Sequence, residues 1–348
     1  MTDVMEALEG ALPRDGHREE DGPPGPVILG QGAFRYEVSG ANWGNLPEGW
    51  FYKEAAAVAV DQRDRVYVFN RGTKPMVVFD GEGTLLDTWE WEQGDGFDNP
   101  HGVTVAPDGT LWCVDNGNNT IKHLTPEGRL LATMGEVNNP TPRMSNRPFS
   151  VPTHVGVDPR TNEFYVGDGY SNAAVHKFSP EGRHLLTWGE SGTDEGQFNI
   201  VHNIKVDRHG WVYVADRENH RIQVFSPEGR FETQWVNLSR AACLDIDTSG
   251  ERDIVYIGEY FTGIESNDIG TNLGPRVTVM STDGKVLARV GTQSYGSQAG
   301  RFFSPHGIAV DSKGNLYVAE VSHADYGSKW RVDRELRSMQ KLVKIATP

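Results

Sequence analysis

Three histidines recur at the same place in a repeated sequence pattern. The stretches NPHGVTV, IVHNIKV and SPHGIAV each put a histidine just before a short run of alternating apolar residues. These histidines are His101, His202 and His306. Imidazole nitrogen is a common ligand of transition metals, and three nitrogen ligands with an open fourth position are typical of a catalytic zinc site. Whether the three side chains can meet depends on the elements that carry them.

Most of the chain consists of one repeated unit. Each full copy reads as a strand, an Asp/Gly turn, a strand, a loop, a strand, a turn such as SPEG or TPEG, and a last strand. The alternation of apolar residues at period two and the turn sequences predict four antiparallel strands in each copy. The copies begin at residues 56, 101, 153, 202, 242 and 306. Six such units predict an all-β fold, a six-bladed β-propeller.

The ring needs one strand from outside the last copy. That copy shows two clear strands and a third near residues 341–345, so its fourth strand must come from elsewhere. The segment FRYEVSG (34–40) is suitably placed, and we expect this N-terminal strand to close the ring in the last blade. Residues 28–348 then form a single propeller domain. Residues 1–27 are acidic and rich in proline and glycine, so they are expected to be a disordered tail.

Composition restricts the partners and the compartment. The chain has 48 Asp and Glu against 33 Lys and Arg, and its net charge of −15 argues against nucleic acid or an anionic membrane as a partner. Its two cysteines cannot form a disulfide framework, and its first residues lack the basic-then-apolar order of a signal peptide. No apolar run approaches the roughly 20 residues that span a bilayer. We therefore expect a cytoplasmic protein, and a monomer because a closed propeller removes free sheet edges.

Propeller geometry brings the three histidines together. The first strand of each blade lines the central channel, and the histidines precede that strand in blades two, four and six. The same position holds Ala56, Thr153 and Ala242 in blades one, three and five. Alternate blades lie about a third of a turn apart, so three imidazoles converge on the axis with small residues between them. This predicts a zinc site, although iron, copper or nickel would also suit imidazole. The alternative is that each histidine only packs at the rim.

Arginines and tyrosines are predicted beside the histidines. The second strand of each blade runs back toward the face of the propeller that carries the histidines. The residues at its C-terminal end therefore lie on that face. Arg71 and Arg217 share one position in blades one and four, Tyr260 shares it in blade five, and Tyr170 comes one residue later in blade three. Two guanidinium groups beside a metal suggest an anionic substrate, most simply a carboxylate, bound by Arg71, Arg217 and Tyr260. A phenol could then serve as a general base.

These positions also have a purely structural interpretation. Asp115, Asp168 and Asp216 end second strands as well, and they would recur if their carboxylates accept hydrogen bonds from loop amides. The neighbouring arginines could then simply pair with them. Arg71 fits this interpretation less well, because its copy reads FNRG and has no acid at that place.

Several stretches resemble a known family. PHGVTVAPDGTLWCVDNGNNTIKHL resembles NHL-type propeller repeats. VGDGYSNAAVHKFSPEGRHLLTWGE, GQFNIVHNIKV and VADRENHRIQVF are similar to the catalytic core of peptidyl-α-hydroxyglycine α-amidating lyase, over roughly residues 50–325. The resemblance implies a zinc ion on three histidines, two active-site arginines and an active-site tyrosine. These map onto His101, His202 and His306, onto Arg71 and Arg217, and onto Tyr170.

The reaction of that family cleaves a carbinolamide at its C–N bond and yields an amide and an aldehyde such as glyoxylate. The resemblance implies that the metal binds the substrate hydroxyl, that Tyr170 helps to remove its proton, and that an arginine holds the substrate carboxylate. This sequence departs from the family at several positions, and Ser171 stands where the family has a cysteine beside the tyrosine. Gly307 stands where the family has the aspartate of a structural calcium site, which argues against calcium here, and Ser304 replaces the usual methionine. We expect a small carbinolamide substrate rather than a peptide.

Two other functions stay open at this point. One is a metallohydrolase, or another lyase or hydratase, that acts on a small anionic substrate through the same metal. The other is a non-catalytic NHL propeller that binds a protein partner, for which no metal would be needed.

Overall fold

The computed structural model describes residues 26–39, 43–89, 96–260, 273–291, 296, 298–328, 332 and 334–346. The expected N-terminal tail (1–27) lies outside these residues except for its last two positions. The sequence of the fifth repeat is lengthened by an insertion at Tyr260–Pro275, and residues 261–272 of that insertion also lie outside the described ranges. Within the described ranges, no helix is long and apolar enough to cross a membrane.

The described residues form six antiparallel sheets of four or five strands. Blade one contains β3 (Ala55–Val60), β4 (Val66–Asn70), β5 (Met76–Phe79) and β6 (Leu85–Thr88). Blade two contains β7 (Pro100–Val105), β8 (Leu111–Asp115), β9 (Thr120–Leu124) and β10 (Leu130–Met134). Blade three contains β11 (His154–Val157), β12 (Phe164–Asp168), β13 (Ala174–Phe178) and β14 (His184–Trp188).

The remaining blades follow in chain order. Blade four contains β15 (Val201–Val206), β16 (Val212–Asp216), β17 (Arg221–Phe225) and β18 (Phe231–Trp235). Blade five contains β19 (Arg240–Asp247), β20 (Ile254–Tyr260), β21 (Arg276–Ser281) and β22 (Val286–Val290). Blade six contains β23 (Pro305–Val310), β24 (Leu316–Glu320), β25 (Met339–Lys344), β2 (Phe34–Val38) and β1 (Ile28–Gln31). A short 3-10 helix (Arg217–Asn219) follows β16, and a π-helix (His323–Gly327) follows β24.

The ring closes as the sequence predicts. The innermost strands β3, β7, β11, β15, β19 and β23 contact one another in cyclic order, and β23 returns to β3. The N-terminal strand β2 pairs with β25 through Tyr36 with Lys344 and Val38 with Leu342, so it is the fourth strand of blade six. Strand β1 adds a fifth strand at the outer edge of that blade. The six-bladed propeller and its closure by an N-terminal strand are confirmed.

An aspartate after the innermost strand shapes the first turn of several blades. In blade six, Asp311 accepts hydrogen bonds from two backbone N–H groups of the turn, at 2.9 and 2.8 Å, and from the hydroxyl of Tyr317 at 3.0 Å. Asp61 and Asp207 make the equivalent contacts in blades one and four. The aspartate and the tyrosine that recur in these units therefore hold the innermost strand in register with its neighbour.

The apolar core lies between neighbouring blades. The second strands β4, β8, β12, β16 and β24 are buried along their whole length, whereas the outermost strand β10 is largely exposed. Between blades three and four, Phe198 and Phe225 are fully buried in one cluster. Burial of a side chain of this size contributes about 1.5–3 kcal/mol, so each blade is held mainly by contact with the next. Cys113 and Cys243 are buried and form no disulfide.

Candidate metal centre

A β-bulge directs each of the three histidines into the central channel. The pairing of β7 with β8 shifts register between Pro100 and Gly102, which leaves His101 as the extra residue. His202 and His306 are the extra residues of the same irregularity in β15 and β23. A bulge bends its strand and re-aims the side chain of the extra residue. The three imidazoles therefore point at the axis rather than at the neighbouring blade.

Each imidazole is oriented by a backbone carbonyl of the next blade. The three Nδ1–carbonyl pairs are His101 with Thr153 at 2.7 Å, His202 with Ala242 at 2.6 Å, and His306 with Ala56 at 2.6 Å. Because a carbonyl oxygen can only accept, each Nδ1 carries the hydrogen and each Nε2 keeps its lone pair. The neutral tautomer that results is the one that binds a metal through Nε2.

The residues between the histidines thus have a role that the sequence did not suggest. Ala56, Thr153 and Ala242 were expected only to leave room in the alternate blades. The structure shows that their backbone carbonyls anchor the three rings. No residue type marks a carbonyl acceptor, so the strict alternation of histidine with small residues was the only available signal.

The three rings lie close together and are protected from water. Their candidate ligand atoms all lie within 4.8 Å of one another, and the ring centroids are 4.6–4.9 Å apart. Burial, followed by the charge of Arg71, lowers the pKa of His306 from 6.5 to about 3. Burial also holds the pKa of His101 and of His202 well below the usual value. Three neutral, buried, preoriented imidazoles fit a three-histidine metal site of the zinc type.

The hydroxyl of Tyr170 lies directly beside this ring of nitrogens. It is 2.9 Å from Nε2 of His101 and 3.1 Å from Nε2 of His202, and it accepts a hydrogen bond from Nη1 of Arg217 at 3.4 Å. The structure therefore brings Tyr170, Arg217 and two of the histidines together. Gly169 makes this placement possible, because a Cβ atom at that residue would lie 2.0 Å from the carbonyl oxygen of Val201.

Arg217 is held by a carboxylate that the sequence reasoning missed. Its Nε lies 2.7 Å from Glu218, and Arg240 donates to the same carboxylate from its Nε at 3.0 Å. The guanidinium carbons of Arg217 and Arg240 lie 5.8 and 5.0 Å from the ring centroid of Tyr260. Although burial acts to raise it, the two arginines hold the pKa of Glu218 below its usual range. The only sequence signal for the pair of Arg217 and Glu218 was that the two residues are adjacent, in the stretch ADRENH.

Arg71 is also paired with a buried acid, which lies outside its own strand. Its Nη1 is 2.7 Å from Glu54, and its Nε donates to the carbonyl of Pro100, next to His101, at 2.9 Å. The second oxygen of Glu54 accepts the backbone N–H of Ala324 in the π-helix at 2.6 Å. The absence of an acid beside Arg71 in the sequence was therefore misleading, because the partner precedes the first strand of the blade.

The aspartates that end the second strands have the structural role described above, which is to accept hydrogen bonds from loops. Asp168 accepts the backbone N–H of Ser150 and also contacts Asn172 and His176, and it is fully buried. Asp115 likewise accepts backbone N–H groups of its neighbouring loops. Asp216 pairs with Arg221, not with Arg217. These acids hold the loops that carry the site residues.

Tyr260 forms an inner wall of the site. It is 8% exposed, it packs with Ala56, Ala242 and Val321, and its ring centroid lies 6.3 Å from that of His306. Burial, with a further contribution from the carboxylate of Asp325, raises the pKa of its hydroxyl well above the usual value. The hydroxyl therefore stays protonated, and the contact of Tyr260 with a substrate stays a prediction.

The residue after the third histidine offers no side-chain ligand for calcium. Gly307 supplies no carboxylate, and a Cβ atom there would lie 2.7 Å from the Cα atom of Ala57 and 2.9 Å from the backbone nitrogen of Val58. An aspartate at this position would therefore require the first blade to move. The backbone explains why glycine stands here.

Comparison with known proteins agrees with the fold. The model of the NHL repeat matches residues 97–124 and 198–225, which cover parts of blades two and four. The human NHL repeat-containing protein 3 is 32% identical over 304 residues, which span 83% of this chain and 81% of the relative. The structure and these matches define the class as an NHL-repeat β-propeller. The chain belongs to the NHL-repeat family that includes NHL repeat-containing protein 3.

Other relatives bear the name of an enzyme. The chain is 29% identical over 242 residues to peptidyl-alpha-hydroxyglycine alpha-amidating lyase 1 of Drosophila melanogaster, which covers 64% of this chain and 43% of the relative. It spans about a quarter of the length of the peptidyl-glycine alpha-amidating monooxygenases that it matches. Among solved structures, virginiamycin B lyase of Staphylococcus aureus matches with a TM-score of 0.58 and 13% identity, over 89% of this chain and all of that one. At that identity the likeness concerns the fold alone.

Proposed function

We propose that this protein is a metal-dependent lyase, most simply a zinc enzyme. Its reaction is the cleavage of the C–N bond of a small, anionic carbinolamide to an amide and an aldehyde such as glyoxylate. The observation that carries the proposal is the hydroxyl of Tyr170, which lies 2.9 and 3.1 Å from two of the three Nε2 atoms that would hold the ion. The similarity to proteins named as amidating lyases supports the same chemistry.

The ligands would be the Nε2 atoms of His101, His202 and His306. When bound there, a zinc ion acts as a Lewis acid that lowers the pKa of a coordinated hydroxyl group. The carbonyl partners at Nδ1 keep the three rings in the tautomer that leaves the Nε2 lone pairs available to an ion. The buried surroundings strengthen each electrostatic interaction at the centre.

Tyr170 is the group placed to move the proton. In its deprotonated form, the phenolate oxygen of Tyr170 takes the proton of the substrate hydroxyl, the C=O bond of the aldehyde forms, and the electron pair of the C–N bond leaves with the nitrogen. Tyr170 then returns the proton to that nitrogen, which completes the amide. The guanidinium of Arg217, at 3.4 Å, donates to the phenol oxygen and stabilises the negative charge while the proton is absent.

The two arginines have donors left for the substrate. Glu54 and Glu218 engage one side of Arg71 and Arg217, and this orients the guanidinium groups. Among the described residues, the Nη2 groups of both arginines make no hydrogen bond, so each can donate to a substrate oxygen. A carboxylate adjacent to the reacting carbon, as in an α-hydroxyglycine, matches donors in this position.

The test is an assay with an N-acyl-α-hydroxyglycine and purified protein whose zinc content is measured. We expect about one zinc per chain and conversion to the primary amide. His202→Ala should lose both, whereas His209→Ala, an exposed histidine of the first turn of blade four, should retain both. Equal rates in the wild type and in His202→Ala would refute the proposal. In water labelled with ¹⁸O, a hydrolase would produce a labelled carboxylic acid, whereas a lyase leaves an unlabelled amide.

A further inference from the structure

One lysine lies in the central channel below the three histidines. Lys205 lies on β15, three residues after His202. Above it, a cavity with about 10 Å³ of free volume reaches the three imidazoles. Below it, a depression of about 420 Å³ opens on the opposite face of the propeller. Among the described residues, Lys205 alone lines both spaces, so its side chain separates the metal centre from that face.

The ammonium group of Lys205 is tied to the neighbouring blades. Its Nζ lies 2.9 Å from Oδ1 of Asp245 on β19, and both side chains are largely buried, at 20% and 18% exposure. The other oxygen of Asp245 accepts the backbone N–H of Val310 in blade six at 3.0 Å. One ion pair therefore connects blades four, five and six across the channel. A pair in such a position depends on both members, because removal of one leaves a poorly hydrated charge.

The opposite mouth of the channel would otherwise attract cations. Its lining includes the carboxylates of Asp61, Asp64, Asp245, Asp247 and Asp311. Lys205 is the one cationic side chain among the described residues that line it. Its positive charge therefore offsets part of the negative potential of these carboxylates.

The side chains that line this cavity offer few ligands to a divalent ion. Gly307 leaves no carboxylate where the family resemblance implies a calcium ligand. The carboxamide oxygen of Asn203, buried and without a hydrogen-bond partner in the described structure, is the one side-chain oxygen among the residues that line the upper cavity. Calcium requires six to eight oxygen ligands at about 2.3–2.6 Å, and an ammonium group in the same cavity repels it.

We propose that the ammonium group of Lys205 supplies the positive charge in the channel that a divalent ion would otherwise supply. Its ammonium group neutralises Asp245, holds three blades together and closes the path from the opposite face to the metal centre. The metal ring is then reached from one face only, and the chain carries a single metal ion, at the three histidines.

The first test measures calcium binding to the full-length, zinc-loaded protein. Equilibrium dialysis and thermal unfolding are followed from about 10 µM to about 10 mM CaCl₂, a range that covers the weaker protein calcium sites. An ion that binds only the folded state raises Tm as its concentration passes Kd. We expect no bound calcium and a constant Tm. One calcium ion per chain with a rising Tm would overturn the proposal.

The second test removes the charge. Lys205→Met keeps most of the side-chain volume but leaves Asp245 unpaired, so its Tm should fall, and the added change Asp245→Asn should recover part of the loss. Lys313→Met, at an exposed lysine in the first turn of blade six, removes the same charge away from the channel; it is the control and should keep its Tm. Zinc content should stay at one per chain in all variants. Equal Tm values for Lys205→Met and Lys313→Met would overturn the proposed pairing, and if Lys205→Met does not fold, the calcium titration of the wild type decides.

Discussion

Replacement of Tyr170 by phenylalanine gives the sharpest test of the proposed mechanism. The change removes one oxygen atom, which lies 2.9 and 3.1 Å from two ligand nitrogens and 3.4 Å from Arg217. It keeps the aromatic ring, whose centroid lies 5.6 Å from the guanidinium carbon of Arg217. The fold, the three imidazoles and the arginines should therefore survive, and only the group that moves the proton is lost.

The size of the effect follows from the role of the lost group. A positioned general acid or base contributes about 10²–10⁴-fold to a rate, or about 3–5 kcal/mol of barrier. We therefore expect kcat to fall by about 10²–10⁴-fold in Tyr170→Phe. KM should change little, because the proposed carboxylate contacts come from Arg71 and Arg217. Zinc content should stay near one per chain, because the ligands are the three histidines.

The assay is steady-state kinetics with an N-acyl-α-hydroxyglycine, with zinc measured in the same samples. Tyr165→Phe is the matched control. Tyr165 lies on β12 in the same blade, and its hydroxyl contacts only the carbonyl of Pro227, at 3.4 Å, among the described partners. Its kcat should equal that of the wild type. If kcat of Tyr170→Phe at full zinc occupancy stays within about tenfold of wild type, the phenol does not carry the proton and the proposed mechanism is wrong.

Three further predictions follow from the same contacts. Glu218→Gln removes the charge that orients Arg217, so kcat should fall and KM for an anionic substrate should rise. Steady-state kinetics with a neutral ester of the same substrate, for which KM should not rise, provides the comparison. Gly169→Ala puts a Cβ atom 2.0 Å from the carbonyl oxygen of Val201. In this variant kcat should fall, and thermal unfolding should show a lower Tm. An unchanged kcat would mean that the loop containing Gly169 does not position Tyr170. Burial lowers the pKa of His306 from 6.5 to about 3, so the unfolded chain binds protons that the folded apoprotein does not. Stability of the apoprotein should therefore decline as pH falls from about 6.5 toward 3, and urea unfolding across that range would measure it.

The repeat pattern was sufficient to predict the fold. Period-two alternation, turn sequences and six copies of one unit define four-stranded blades, and the short last copy predicts that a strand such as 34–40 must close the ring. The pairing of Tyr36 with Lys344 bears this out. The prediction succeeded because propeller topology is nearly periodic, so equivalent positions in sequence become equivalent positions in space.

The ring of histidines was predictable for the same reason, but its chemical setting was not. Equal repeat positions in alternate blades must meet on one axis, which made His101, His202 and His306 neighbours. The partners that tune the site come from elsewhere. Glu54 joins Arg71 to Ala324, which lies 270 residues further along the chain. No local pattern marks such a contact.

The sequence by itself determined the period of the fold, the residues that face the channel and the kinds of chemistry that those residues can perform. The tertiary structure alone decided which carbonyl holds each imidazole, which acid pairs with each arginine, and that Lys205 closes the channel against Asp245. The physical reason is that periodicity places backbones, whereas these hydrogen bonds and ion pairs depend on which side-chain and backbone atoms the folded loops and neighbouring blades bring within reach. Their partners are set by distances of a few ångströms that the closed ring creates.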